Sequence, residues 1–276
     1  MPWIPELFSA SALERVWEDE RRRSLELVPF FPGVLTGETE ALVKSFAGEP
    51  EVHHPVRGRV KGVAAFERFV NETRAWLDER AATVEDVDFV LAPHRGVEEL
   101  VLHLEGDDGR IALPMAVVSD HDEHGRIAEQ RIYFSTWPLT GGHAIRPPLL
   151  QPDDGLTEPG IIAEYQRALA AGDAEAAVAA FEPDGYVREP AGGASVHRGT
   201  EELRALYELF FSNHGGIELE HCAATVDGHA YALEYNVVAW GGTALPPQAG
   251  VAVYVRGAGG RLAAARIYDD ADPPLT

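Results

Sequence analysis

Two side chains in the second half of the chain have the chemistry needed to move a proton. Glu189 supplies a carboxylate directly before Pro190, and Tyr165 supplies a phenol on a segment with helical periodicity. A carboxylate in an apolar cavity loses hydration, so its pKa rises toward the range of a general base. A phenol aimed at a carbonyl oxygen stabilises the charge that develops there. The two groups would therefore suit proton transfer on a small carbonyl compound.

The segments that would position these residues occur twice. The segment from Gly37 to Ala41 matches the segment from Gly172 to Ala176, and 172 − 37 gives an offset of 135 residues. Three further pairs share this offset: His54-Pro55 with Glu189-Pro190, Gly125 to Ile127 with Gly260 to Leu262, and Arg131 to Tyr133 with Arg266 to Tyr268. Separated matches at one spacing indicate an internal duplication.

A proline-rich stretch separates the two copies. Residues 138–159 contain Pro147-Pro148, Pro152 and Asp153-Asp154-Gly155, a composition that resists helix and central strand alike. The sequence therefore predicts a first domain over residues 1–140, a linker over 141–157 and a second domain over 158–276.

Hydrophobic periodicity predicts three helices and then strands in the second copy. Ile162, Tyr165 and Leu169 form one helix face, and Gly172-Asp173 ends that helix and caps a short second one. A third helix shows the i, i+3, i+4, i+7, i+8 stripe at Leu203, Leu206, Tyr207, Phe210 and Phe211. The predicted strands lie at 186–187, 217–225, 230–238, 251–255 and 262–269.

This order resembles the nuclear transport factor 2-like superfold, with its SnoaL-like and ketosteroid isomerase-like branches, over nearly all of both copies. The resemblance implies an α+β fold: two tandem cone-shaped barrels, each a curved antiparallel sheet wrapped on three helices around an apolar cavity. The convex sheet face is where this superfold commonly dimerises. An intrachain pseudo-dimer is therefore expected, with Glu234, Asn236 and Arg266 in an interdomain polar network; the whole chain would be a monomer or a homodimer.

The segment from Glu189 to Gly193, followed by Val196 to Gly199, resembles the ketosteroid isomerases. The resemblance implies that Glu189 is the base, and that Tyr165, seven residues before Gly172, is the oxyanion donor. The chain departs from that family in three ways. A second donor is replaced by Ala252, the base is glutamate instead of aspartate, and the loop to Gly199 is about one residue longer.

The resemblance also implies that Asp269 points inward with Ile267, which would place a second carboxylate near the cavity mouth. Two neighbouring carboxylates raise one pKa, so one can act as acid and the other as base. The alternative is that Asp269 begins a solvated C-terminal tail with Asp270 and Asp272.

Four other residues are predicted to bind the substrate. Tyr231 and Tyr235 lie on the strand face that is expected to line the cavity, where they would hold a polar group or fill space. Phe210 belongs to the apolar face of the third helix. His197 lies in the loop after Glu189 and is either a binding residue or a loop residue only.

The first copy has drifted at the equivalent positions. His54 replaces Glu189 and Phe30 replaces Tyr165, so its site is expected to be degenerate and chiefly structural. His54 would remain able to act as a base near neutral pH. His53, His54 and His103 suggest a metal only weakly, because adjacent residues of an extended segment point in opposite directions; no metal and no cofactor are expected.

Composition excludes several classes of partner. With 23 basic and 45 acidic residues the net charge is −22, which disfavours nucleic acid and anionic membranes. The single cysteine, Cys222, allows no intrachain disulfide. No signal-peptide pattern or membrane-spanning apolar run occurs, so a cytoplasmic location is expected.

The leading hypothesis from the sequence is a cofactor-free isomerase or aldol-type cyclase acting on a small apolar carbonyl compound. A non-catalytic small-molecule-binding or scaffold protein is the alternative. An epoxide hydrolase is disfavoured, because the inward Asp-Arg-Asp set of such enzymes aligns with Val237, Tyr235 and Ile267.

Overall fold

The computed structural model of the protein describes residues 29–107, 109–191 and 195–274. The N-terminal stretch up to residue 28 lies outside the described residues, and so do Gly192 and Gly193 of the loop that carries the resemblance to ketosteroid isomerases.

The first half contains three described helices and a six-stranded sheet. In chain order its elements are α1 (Phe30–Thr36), α2 (Thr39–Lys44), β1 (Glu51–His54), β2 (Gly58–Lys61), α3 (Val63–Asp78), β3 (Thr83–Ala92), β4 (Arg95–Gly106), β5 (Gly109–His121) and β6 (Ile127–Tyr133). Pro29 stands at the N-cap of α1 and Pro32 in its first turn, where a missing N–H is tolerated.

The second half repeats this order after a single helical turn, α4 (Trp137–Thr140). Its elements are α5 (Gly160–Ala171), α6 (Ala174–Ala179), β7 (Phe181–Arg188), β8 (Val196–Arg198), α7 (Gly199–Phe210), β9 (Ile217–Val226), β10 (Ala230–Trp240), β11 (Thr243–Arg256) and β12 (Leu262–Tyr268). No helix in the described part of the chain is long and apolar enough to cross a membrane.

The two sheets have the same strand order. The first runs β2-β1-β6-β5-β4-β3 and the second β8-β7-β12-β11-β10-β9. Within each sheet one pair is parallel, β1 with β6 and β7 with β12, and the other neighbours are antiparallel. The registers also correspond, since Leu100 faces Met115 in the first sheet and Tyr235 faces Gly250 in the second, 135 residues later. The predicted α+β architecture of two similar units is confirmed.

The junction between α5 and α6 shows why the sequence folds as it does. Gly172 ends α5 at φ 68, a left-handed conformation that favours glycine. A Cβ at this position would also lie 2.8 Å from the backbone carbon of Gly215. Asp173 then caps α6 by accepting a hydrogen bond of 2.9 Å from the N–H of Ala176. This turn fixes the angle at which α5 lies against the sheet.

Each half has its own hydrophobic core between its helices and one face of its sheet. The first core is aliphatic and rich in phenylalanine, with Phe30, Phe66 and Phe69 almost fully buried. The second core buries five phenols at 4% exposure or less: Tyr165, Tyr207, Tyr231, Tyr235 and Tyr254. Buried phenols need hydrogen-bond partners, so the second core is a polar as well as an apolar environment.

A third cluster joins the outer faces of the two sheets, through small and β-branched residues such as Val118, Val251 and Val253. Charged residues flank it. Arg131 Nε donates to Glu234 Oε1 over 2.6 Å, and the Tyr133 hydroxyl donates to the same oxygen over 2.7 Å. The pseudo-symmetric contacts join Glu99 Oε1 to Arg266 Nε (2.8 Å) and to the Tyr268 hydroxyl (2.6 Å). These contacts are compatible with a pseudo-dimer, which stays a prediction.

Candidate active site

A cavity of about 310 Å³ lies inside the second half, between α5, α7 and the inner face of its sheet. Helices supply Tyr165 and Tyr207, strands supply Tyr235 and Tyr254, and the wall between them is apolar. The volume falls at the small end of the range for ligand sites. Three predicted catalytic residues border this one cavity: Tyr165, Glu189 and Asp269.

Tyr165 and Tyr207 form a hydroxyl pair across the helical wall. Their hydroxyl oxygens lie 2.9 Å apart and share one hydrogen bond. Helix α5 presents Tyr165 from its buried face, and helix α7 presents Tyr207 from its apolar stripe. Because a hydroxyl both donates and accepts, one phenol of the pair keeps a proton available for a ligand oxygen.

The phenols of this cavity stay protonated at neutral pH. Burial raises the pKa of Tyr165 to about 12, although the hydrogen bond from Tyr207 opposes the rise. Burial also raises the pKa of Tyr207, Tyr235 and Tyr254 well above that of a free phenol. These groups are therefore neutral hydrogen-bond donors and not bases.

Asp269 faces the cavity beside Tyr235. The Tyr235 hydroxyl donates to Asp269 Oδ2 over 2.7 Å. Burial raises the pKa of this carboxyl even though the Tyr235 hydrogen bond lowers it. Gly250 makes room for the pair: a Cβ there would lie 2.7 Å from both Asp269 Cβ and Tyr235 Cε2. Asp269 therefore borders the cavity and does not begin a solvated tail.

Glu189 lies at the edge of the cavity, directly after β7. Its side chain is 27% exposed, and its Oε1 lies 2.7 Å from His197 Nε2. The backbone N–H of Glu189 donates to the carbonyl of Ser195 over 2.9 Å, which holds the loop closed upon itself. His197 therefore orients Glu189 and is not itself among the residues that line the cavity.

The predicted binding residues divide into two groups. Tyr235 and Phe210 line the cavity, as does Ile267 beside Asp269. Tyr231 does not line it, although its side chain is buried at 3% exposure. Its hydroxyl has no hydrogen-bond partner within the described residues, so the phenol fills space there. The structure thus places Tyr231 in the core, which is the space-filling alternative of the two expected for it.

The connection between the halves supplies part of the cavity wall. Trp137 and His143 line the cavity, and their rings stack with centroids 4.9 Å apart. The same connection borders the cavity of the first half through Leu139 and Thr140. The segment around α4 therefore lies between the two cavities.

Asp270 anchors this connection. Its carboxylate accepts hydrogen bonds from the Ser135 hydroxyl (2.6 Å), the Thr136 hydroxyl (2.7 Å) and N–H (3.0 Å), and the Ala144 N–H (2.8 Å). His143 Nδ1 also lies 2.9 Å from it. Ser135 occupies the position equivalent to Asp270 at the offset of 135 residues. The two copies are thus tied together at one pair of equivalent positions, next to the mouth of the second cavity.

Sequence reasoning missed these connecting residues and placed Tyr207 only on a helix face. A phenol within an otherwise hydrocarbon stripe was a usable signal for Tyr207, because a buried hydroxyl requires a partner. No local pattern marks Trp137, His143 or Asp270, since their contacts depend on how the two halves meet.

The equivalent positions of the first half carry no comparable set. Phe30 replaces Tyr165, as noted from the sequence, and its ring stacks on Phe69 with centroids 6.0 Å apart. His53 lies with Glu51 and Glu129 in a group whose ligand atoms are all within 4.8 Å of one another. Arg59 and Lys61 already bind Glu51 over 2.6 and 2.7 Å, so protein cations neutralise that carboxylate. His54 and His103 are not members of this group.

Comparison with known proteins identifies the second half. Residues 162–265 match the family model of the SnoaL-like domain. The chain therefore contains a SnoaL-like domain of the nuclear transport factor 2-like superfamily. The two sheets of equal strand order fit a tandem duplication of that fold. No curated protein matches the chain significantly.

Several solved structures are similar to one half of the chain. The epoxide hydrolase/cyclase-like enzyme SalBIII, of pyran ring formation in the polyether salinomycin, is 19% identical over 41% of this chain and 91% of its own, with a TM-score of 0.34. A candidate polyketide cyclase from Sinorhizobium meliloti is 22% identical over 40% and 94%, with a TM-score of 0.33. An NTF2-like protein of unknown function from Cytophaga hutchinsonii is 15% identical over 38% and 91%, with a TM-score of 0.33.

Proposed function

We propose that the second half is an enzyme that moves a proton within a small, largely apolar carbonyl compound, in an isomerisation or an aldol-type cyclisation. One observation carries the proposal: a phenol pair and two carboxyl groups border a single cavity. The phenols are Tyr165 and Tyr207, and the carboxyl groups belong to Glu189 and Asp269. Such a set provides a base, an acid and an oxyanion donor in one chamber.

The proposed steps balance without a cofactor. The Glu189 carboxylate takes a proton from the carbon next to the carbonyl, and the electron pair of that C–H bond moves to give an enolate. Tyr165 donates a hydrogen bond to the enolate oxygen. The proton then returns to another carbon of the substrate, or the enolate carbon attacks a second carbonyl whose oxygen takes the proton. No oxidant or reductant enters the balance.

Asp269 supports this chemistry as the second carboxyl. Burial raises its pKa, so its protonated form persists to higher pH than that of an exposed carboxyl. A protonated Asp269 can donate to the substrate oxygen or return the proton. Asp269 directly follows β12, which pairs with β11, the strand that carries Ala252. Asp269 would in this way replace the second donor that is missing at Ala252.

The size of the cavity limits the substrate. A volume of about 310 Å³ is the room of about ten water molecules in the liquid. Its wall includes Leu169, Phe210 and Val237, and the described residues that line it include no lysine or arginine. We therefore propose an uncharged ketone with one or two rings as the substrate.

The experiment compares variants on β,γ-unsaturated ring ketones, whose isomerisation to the conjugated enone is followed by ultraviolet absorbance. Glu189→Gln should lower kcat by about 10²- to 10⁴-fold, the usual contribution of a general base. Tyr165→Phe should lower it by about 10²- to 10³-fold, as expected for an oxyanion donor. Glu218→Gln, the same change on an exposed residue of β9, is the control and should leave kcat unchanged. Unchanged turnover in Glu189→Gln would refute the assignment of the base.

A ligand-binding protein without catalysis is the second candidate. Ala252, which is buried at the position of the missing donor, favours it. If wild-type protein binds the ketones and returns them unchanged, without exchange of the α-hydrogens for deuterium, this second function replaces the first.

A further inference from the structure

His54 occupies an unusual environment at the end of β1 in the first half. Its ring lies between Phe69 and Phe134, with centroids 5.4 and 5.3 Å away. Its Nδ1 accepts hydrogen bonds from the backbone N–H groups of Val56 (3.1 Å) and Arg57 (3.2 Å). The ring is thus held by two aromatic contacts and by the turn that follows it.

These contacts fix the tautomer of the ring. A nitrogen that accepts two N–H donors carries no proton, so the proton of the neutral imidazole lies on Nε2. Among the described residues, no acceptor takes a hydrogen bond from Nε2. A donor with a fixed direction is therefore left for a group other than the described residues.

His54 faces a cavity of about 780 Å³, more than twice the volume of the cavity in the second half. The cavity floor is apolar, with Phe31, Leu102, Leu113 and Met115. Charged residues also line the cavity, and among them Arg80 donates to the Trp76 carbonyl over 3.1 Å. His54 presents its Nε2–H to this cavity, beside the ring of Phe134.

We infer that the first half is a second binding site, which takes a neutral, apolar molecule through one carbonyl oxygen that accepts a hydrogen bond from His54 Nε2. The class is a ketone, ester or lactone.

This inference corrects the expectation that His54 acts as a base. Burial, together with the charges of Arg146 and Arg57, lowers the pKa of His54 to about 3. At neutral pH the ring stays uncharged and its basic nitrogen is engaged by the backbone. The first half therefore keeps a ligand site after losing the acid-base residues, and this site does not depend on the reaction proposed for the second half.

The first test measures the tautomer in the full chain. Protein labelled with ¹⁵N-histidine should show His54 as the Nε2–H form from pH 5 to pH 8, with one protonated and one unprotonated ring nitrogen. His54→Asn assigns the signal by removing it. A His54 that is the Nδ1–H form, or that gains a proton within this range, would overturn the inference.

The second test measures the hydrogen bond with two probes of matched shape. In 2-acetylnaphthalene the side group ends in a carbonyl oxygen, and in 2-isopropenylnaphthalene a CH₂ replaces that oxygen. Binding is followed by the indole N–H signal of Trp76, which borders the first cavity and not the second. The wild-type protein should prefer the carbonyl probe by about 2- to 12-fold, the usual range for one net hydrogen bond.

The variant His54→Asn removes the Nε2–H donor and keeps an acceptor for the backbone of the turn. The Asn Oδ1 can still accept from the backbone N–H groups of Val56 and Arg57, as in an Asx turn, whereas the group that reaches the cavity is lost. The preference for the carbonyl probe should fall to about 1-fold, with binding of the hydrocarbon probe retained. An equal preference in the variant and the wild type, or no change of the Trp76 signal with either probe, would show that the inference is wrong.

Discussion

The two cavities of this protein are built on the same strand order and the same register, yet they hold opposite sets of side chains. The second cavity is lined by phenols and carboxyl groups, and at five equivalent positions the first half has four apolar side chains and one histidine. At the offset of 135 residues the pairs are Tyr165 and Phe30, Tyr235 and Leu100, Gly250 and Met115, Asp269 and Phe134, and Glu189 and His54.

The difference teaches that the fold fixes where side chains point, and the side chains alone decide the chemistry. Tyr235, Gly250 and Asp269 act as a unit in the second half, because the small glycine admits the hydrogen-bonded pair. The first half replaces all three by large apolar residues. Such a coordinated difference is what the two proposals require, acid-base work in one cavity and apolar binding in the other.

The largest effect should come from a substitution at Gly250 that fills the space beside Asp269 and Tyr235. In Gly250→Ala the new Cβ lies within 2.7 Å of Asp269 and Tyr235 and must displace them. Overpacking of this kind costs about 1–3 kcal/mol of stability, and loss of the aligned pair should lower turnover about 100-fold or more. Urea unfolding and the ketone assay measure the two effects.

Gly48→Ala is the matched control for that substitution. A Cβ at Gly48 meets no atom within 4 Å, so the change should leave turnover intact and alter stability by less than about 1 kcal/mol. If Gly250→Ala behaved like Gly48→Ala, the proposed role of Gly250, which is to make room for the pair of Asp269 and Tyr235, would be wrong.

A smaller effect should follow from removing the charge of Asp270, whose hydrogen bonds anchor the segment around α4 between the two cavities. Burial opposes the ionisation of Asp270, but hydrogen bonds from Ser135, Thr136 and Ala144 hold its pKa below the usual value. Because the folded-state pKa is depressed, its stabilisation is complete above the unfolded pKa of about 3.9 and is lost as pH falls through the folded value. Asp270→Asn should therefore lower the free energy of unfolding by about 1–2 kcal/mol at pH 7 and by less in acid.

Unfolding from pH 2 to pH 7 provides the measurement for Asp270→Asn. The control is Asp272→Asn, which changes a neighbouring carboxyl for which the structure shows no hydrogen bond. A destabilisation of Asp270→Asn that was the same at pH 2 and pH 7 would contradict the role of the carboxylate charge.

Much of the fold could be predicted, because it follows from the local spacing of apolar and turn-forming residues. The spacing of Ile162, Tyr165 and Leu169 predicted α5, and the Gly172-Asp173 pair predicted the turn to α6. The start of β11 could not be predicted in this way. Pro246 and Pro247 argue against a central strand, but β12 pairs with β11 only from Val251 onward, so the prolines lie where β11 has one neighbour.

The candidate site was predictable only in part. The resemblance to ketosteroid isomerases implied that Tyr165 and Glu189 face one cavity, and both side chains line the same cavity. The partners of those residues depend on contacts between distant elements. Tyr207 meets Tyr165 because α5 and α7 present their buried faces to the same core, and Trp137 reaches the cavity because the two halves meet beside Asp270.

The smallest effect should come from Tyr207→Phe, which removes the hydroxyl that shares a hydrogen bond with Tyr165. Tyr165 keeps its place in the wall, so only the strength and direction of its donor change, and kcat should fall by about 2- to 12-fold. Tyr231→Phe is the control within the same core, because its buried hydroxyl has no partner and lies outside the cavity. A loss in Tyr207→Phe as large as that in Tyr165→Phe would make Tyr207 the direct donor to the substrate. Equal rates for Tyr207→Phe and Tyr231→Phe would mean that the phenol pair, which has no counterpart in the first cavity, does not assist the reaction.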